Sequence, residues 1–167
     1  MRHEYLSVYE LENDTINSNT INVDNINVGG GGYLLNNYNF STDGKASGSY
    51  ALFTISGGSV RVKLLPVCAT NLVSKAGNND SKLYLKSGTI SLIGKTSAAD
   101  IDADECWVTN AAAGILKIVN TTAILDRVLA HATEIRIFID SEAMTTGVIN
   151  FHCWWEPITA GATVVVA

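Results

Sequence analysis

Alternation of apolar and polar residues is the strongest constraint in this chain. It is clearest in the closing segment Gly147–Ala167, GVINFHCWWEPITAGATVVVA. Successive side chains of a strand point to opposite faces. Ile149, Phe151, Cys153 and Trp155 therefore share one face, purely apolar and expected in a core. Val148, Asn150, His152, Trp154 and Glu156 share the other, a polar surface carrying one large aromatic. The segment reads as a closing hairpin, two strands around a Pro-Gly turn.

The same period runs from Ser49 onward. Val60, Val62 and Leu64 alternate with Ser59, Arg61 and Lys63, giving one buried and one wet face. Ile135, Ile137 and Ile139 alternate with Glu134, Arg136 and Phe138 in the same way. Ala51, Phe53 and Ile55 alternate with Leu52 and Thr54, so both faces of that strand are expected to be covered. Leu83 and Leu85 form a short strand with Tyr84 outward, Ser87-Gly88 turns into 89–93, and 115–119 is another short strand. Gly57-Gly58 marks a turn. Pro66 marks an edge or a bulge, because proline cannot donate to a ladder. One helical exception is expected over 123–132, capped by Asn120-Thr121-Thr122, with Ile124, Leu125, Val128 and Leu129 at helical spacing. About eight short strands between Gly, Asn and Ser turns predict an all-β fold, an antiparallel β-sandwich of jelly-roll-like form.

Residues 1–32 differ from the rest. TINSN, TINVD and NINVG follow one another from Thr15 to Gly29, with Ile16, Ile21 and Ile26 in phase. Three such units cannot bury a core by stacking. They read as an extended N-terminal arm that orders against a partner or a neighbouring subunit, with Ile16, Ile21, Val23, Ile26 and Val28 as its anchors. Gly29–Gly32 would be a hinge, and 33–167 the sandwich domain. A phosphate-cradling role for the glycines is not expected, because no helix signal and no lysine follow them.

At 167 residues and 47% hydrophobic content the chain is long enough for one domain with a real core. The net charge of −5 disfavours a nucleic-acid partner. Charge is unevenly spread. Residues 50–99 hold Arg61, Lys63, Lys75, Lys82, Lys86 and Lys95 against Asp80 alone, whereas the acids concentrate in 100–142. Two solvated faces, or complementary edges of neighbouring subunits in a ring, would both produce this pattern. No apolar stretch nears the ~20 residues of a membrane span, and Met1-Arg2-His3-Glu4 precedes no continuous apolar run. A cytosolic site of synthesis without membrane attachment is expected, and the N-x-S/T sequons then carry no meaning. Cys68, Cys106 and Cys153 have no paired spacing and are expected as free thiols.

No catalytic constellation is legible. Asp100, Asp102 and Asp104 echo the start of a calcium loop, but Glu105 stands where that loop needs glycine and Ala111 where it needs a bidentate glutamate. His3, His131 and His152 show no metal-binding spacing. His152 and Cys153 are strand neighbours that diverge, so they are no catalytic pair. No enzyme activity, cofactor or metal is expected. The aromatics remain. Trp107 is expected beside the acidic loop. Phe138, His152 and Trp154 fall on the polar phases of their strands and are assigned to a subunit interface, where aromatics are enriched. A sugar-binding platform is the other use of such rings.

The chain resembles the small β-sandwich head decoration, or cement, proteins of tailed bacteriophages. The residues that carry the likeness are GSYALFTISGGSVRVKLL (48–65), TEIRIFID (133–140) and the closing segment 147–167. Residues 1–47 match no family pattern. The resemblance implies a non-enzymatic virion protein on the outer capsid surface, a homotrimer whose partner is the major capsid protein. The alternative is a tail, neck or fibre component with a glycan- or receptor-binding sandwich head.

Overall fold

The structure is a computed structural model and describes residues 31–43, 46–75, 81–108, 115–116 and 124–167. Among them are eleven strands: β1 (Gly32–Asn39), β2 (Gly48–Ser56), β3 (Val60–Ser74), β4 (Lys82–Ser87), β5 (Ile90–Ser97), β6 (Cys106–Trp107), β7 (Ile115–Leu116), β8 (Leu125–Leu129), β9 (Glu134–Asp140), β10 (Met144–Pro157) and β11 (Thr163–Val166). A 3-10 turn, Ala98–Asp100, follows β5. The protein is all-β.

Two antiparallel sheets form a sandwich. The first has the order β1-β10-β3, with β8 and β6 sharing the far edge of β3 and β7 beyond β6. The second has the order β11-β2-β9-β4-β5. Consecutive strands mostly alternate between the sheets, and only β4 and β5 form a local hairpin in the second, turning at Gly88. The expected alternations define the interior. Ile149, Phe151 and Cys153 of β10 and Val60, Val62 and Leu64 of β3 are fully buried, against Leu83 and Leu85 of β4 and Ile135, Ile137 and Ile139 of β9. Each row is apolar at every second residue, which is the requirement for a strand with one face on a core.

The coverage of both faces expected of β2 is not found, since Ala51 and Thr54 are half-buried and Ser56 is exposed, and the burial of Leu52 has a local cause. Ala51 pairs with Arg136 and Phe53 with Ile135, so Leu52 is an extra residue in the ladder. This bulge turns consecutive side chains inward, and both Leu52 and Phe53 are fully buried. Pro66 is central rather than at an outer edge, opposite Phe151. On its other side β8 ends at Leu64 and β6 begins at Val67, so the proline occupies the interval between two partners. Its missing N–H costs no ladder bond there.

Three expectations are corrected. The helix over 123–132 is absent from its described part: 125–129 form β8, paired with Val60–Leu64. Leu125 and Leu129 are four apart, a spacing that serves a helix or a strand equally, and the free edge of β3 decides the outcome because its N–H and C=O groups need partners. The closing hairpin is also absent. Both edges of β10 are taken, by β1 and β3, so the link 158–162 carries the chain over to the second sheet, where β11 pairs with β2. Finally, Gly32 already pairs with Trp155. The second half of the expected hinge, Gly31-Gly32, therefore lies in the ladder, and its first half lies outside the described residues.

Candidate functional site

The outer face of the first sheet gathers the aromatics that the polar phases of its strands carry. Register places residues in rows across the strands. One row runs Tyr33 (β1), Trp154 (β10), Lys63 (β3), Asp126 (β8). The row on one side is Leu35, His152, Leu65, and on the other Glu156, Arg61, Val128. Cross-strand neighbours on one face are in contact range, and the rings confirm it. Tyr33 and Trp154 lie 5.4 Å apart at 44°, Tyr33 and His152 6.0 Å apart, and His152 and Trp154 6.1 Å apart and nearly parallel.

A hydrogen bond of 2.8 Å between the Tyr33 hydroxyl and His152 Nδ1 fixes this cluster. Burial pushes the His152 imidazole below its ordinary pKa, so the ring is held neutral. Trp154 is 40% exposed, whereas Trp107 and Trp155 are buried. Beside it an open groove of about 520 Å³ is lined by Tyr33, Trp154, Arg61, Lys63, Glu156 and Ile124. Arg61 is held by a bidentate pair with Asp126, Nε to Oδ1 at 3.0 Å and Nη2 to Oδ2 at 2.7 Å. The hydrogen bond from Arg61 holds the Asp126 carboxyl below the usual range.

Phe138 is elsewhere. It faces outward from the second sheet, stacked on Tyr84 at 4.8 Å and 11°. The Lys86 ammonium sits 5.3 Å from the Tyr84 ring and 5.6 Å from Phe138. The structure thus brings His152 and Trp154 together and puts Phe138 on the opposite outer face. The anchors Ile16, Ile21, Val23, Ile26 and Val28 lie outside the described residues, as does His3.

The remaining candidates resolve into structural roles. The loop Asp100–Glu105 is braced by its own backbone: Cys68 N–H donates to the Glu105 carbonyl, Asp104 N–H to the Cys68 carbonyl, and Ala103 N–H to Asn71 Oδ1. Among the described residues no cluster of three or more metal-ligating side chains forms. Trp107 adjoins that loop, two residues beyond Glu105, but as a core residue. It is fully buried, and its indole N–H donates to Thr96 Oγ1 at 2.9 Å. All three cysteines are free. Burial pushes the Cys68 thiol up to about 11 and Cys153 to about 12, so neither is a thiolate nucleophile near neutrality. The uneven charge is partly spent within one chain, since Arg61 pairs with Asp126 and Lys95 with Asp140.

Sequence reasoning missed Tyr33, Leu35, Arg61 and Lys63 as members of the site. The alternation Tyr33-Leu35-Asn37 after the glycines was the available signal for β1; no local signal says that β1 lies beside β10. Among the described residues no helix is long and apolar enough to cross a membrane. No protein-family model matches this chain, and neither does any curated protein or solved structure.

Proposed function

We propose that this chain is a non-enzymatic structural protein of a viral particle, a decoration protein that binds the outer lattice of a major capsid protein as a homotrimer and stabilises the head. The observation that carries the reading is strand order. Eight strands, β1-β10-β3-β8 over β2-β9-β4-β5, are read as a jelly-roll winding, the architecture of many viral shell proteins and also of lectins. The step from winding to role is a fold-level analogy, supported by the resemblance of residues 48–65, 133–140 and 147–167. Because Phe138 lies opposite His152 and Trp154, no single flat contact uses all three. The reading keeps the Tyr84–Phe138 face for contact between copies and leaves the Trp154 face outward. A protein that binds only the assembled shell stabilises it by mass action, and the arm with Ile16, Ile21, Val23, Ile26 and Val28 would extend that contact.

Copy number per particle, measured by quantitative mass spectrometry against the major capsid protein, tests this. Near-equal abundance supports decoration, and absence from particles overturns the assignment. Removal of residues 1–30, stopping short of the Gly31 ladder position, is expected to leave a folded oligomer that binds shells poorly. A second reading, a tail, neck or fibre component with a glycan-binding head, is favoured by the aromatic groove, and abundance far below the capsid protein supports it.

A further inference from the structure

The groove beside Trp154 has a composition that suits one kind of ligand. We infer that it binds a neutral saccharide, with a pyranose ring lying on Trp154 and Tyr33 and its hydroxyls bonded by Arg61, Lys63 and Glu156.

Three features lead there. The first is the paired aromatic surface. An aromatic face is electron-rich, and a pyranose presents a face of electropositive C–H groups to it. Tyr33 and Trp154 meet at 44°, making an angled wall rather than a flat patch, and Tyr33 is pinned by its bond to His152. The second is the polar rim. Register puts Lys63 directly beside Trp154 and Arg61 beside Glu156. The Asp126 pair uses two of the five N–H groups of Arg61 and orients the guanidinium, leaving three to donate. Glu156 supplies the acceptor for a vicinal pair of hydroxyls. A preorganised donor set lowers the ordering cost of binding.

The third feature is charge. Arg61 is paired with Asp126 and Lys63 is offset by Glu156, so these four groups leave no surplus cation to draw a phosphate or an acidic sugar; Arg127, which also acts on Asp126, does not line the groove. A second copy of the chain is a poorer occupant, because interface cores are depleted in lysine and glutamate, whereas a polyhydroxylated ligand uses both. The volume, about 520 Å³, lies within the range of small-molecule sites.

The inference deepens the glycan-binding reading at the level of the site. It does not depend on where on a particle the chain sits: particle mass spectrometry tests location, and sugar binding tests the site. The test is titration of the full chain with cellohexaose, maltohexaose, chitohexaose and lactose, with sialyllactose and inorganic phosphate as anionic comparators. Trp154 is the exposed indole, so binding is read as a change in tryptophan fluorescence and confirmed by calorimetry. At least one neutral sugar is expected to bind in the micromolar-to-millimolar range. Trp154→Ala is expected to weaken it by about tenfold or more, Trp154→Phe to retain part of it, and Lys63→Ala and Glu156→Gln to weaken it severalfold without loss of fold. Failure of every neutral sugar, response to the anionic comparators alone, or binding untouched by Trp154→Ala overturns the inference. So does a Trp154→Ala chain that changes its oligomeric mass, since Trp154 would then be a subunit contact.

Discussion

Two of the links that carry the chain between sheets, from β2 to β3 and from β10 to β11, pass each other at one end of the sandwich, and Gly57→Ala tests how tightly. Ile158 and Thr159 N–H groups donate to the Ser59 carbonyl, and Ser59 N–H donates to Thr159 Oγ1. Gly57 sits inside this clamp at φ +74°, and a Cβ there would stand 2.2 Å from the Gly161 carbonyl oxygen. The left-handed conformation costs a residue with a Cβ about 1–2 kcal/mol. Displacing a backbone oxygen in a packed link adds about 1–3 kcal/mol, for a total of about 2–5 kcal/mol. Gly88, in the β4–β5 turn, is the internal control. Its φ is +56° and nothing lies within 4 Å of the added Cβ. Gly88→Ala therefore carries the conformational cost alone, about 1–2 kcal/mol, and the stiffening of the unfolded chain is common to both variants and cancels in their difference. Equilibrium urea unfolding of both variants reads the difference directly, and melting should fall by about 4–20 °C for Gly57→Ala on the scale of ~2–4 °C per kcal/mol. Equal destabilisation of the two would show that the links are not clamped, and the argument from the crossing would fail.

Thr96→Val is expected to cost about 1–3 kcal/mol, because it strands the buried Trp107 N–H, whereas Thr96→Ser should cost less; a valine variant as stable as the parent refutes the assignment of that bond. His152 is expected to titrate by NMR below its ordinary 6.5. Since its folded pKa is depressed, its contribution to stability is complete above 6.5 and is lost as pH falls from there through the folded value, where the unfolded chain binds the proton first. His152→Gln should remove that part of the pH slope, and an unchanged slope or a midpoint at or above 6.5 refutes the burial argument.

The sandwich was legible where one residue type carried one message. Ile135, Ile137 and Ile139 could only be a half-buried strand, and Ile149, Phe151 and Cys153 could only face a core. What failed were statements about partners. Strand β10 followed by a turn and β11 is locally indistinguishable from a hairpin. It is not one because β1, more than a hundred residues away, occupies the edge that β11 would need. The apolar set Leu125–Leu129 failed for the same reason in reverse. Its spacing allowed a helix, and the unfilled edge of β3 made it a strand.

The site follows the same logic. Period two says that His152 and Trp154 share a face, and the structure agrees. It also says that Phe138 is outward, which is true of a different sheet. Membership in one site is a property of rows across strands, and rows are set by register between segments distant in sequence. Tyr33 reaches His152 across 119 positions, and Lys63 lies beside Trp154 only because β3 pairs with β10 in one register. A slip of one residue in that pairing would turn Lys63 inward and Leu64 outward, burying a charge in the core. The hydrophobic alternation that specifies the core of β3 and β10 therefore also places the cations against the aromatic wall, so the groove is a by-product of the same register that stabilises the fold.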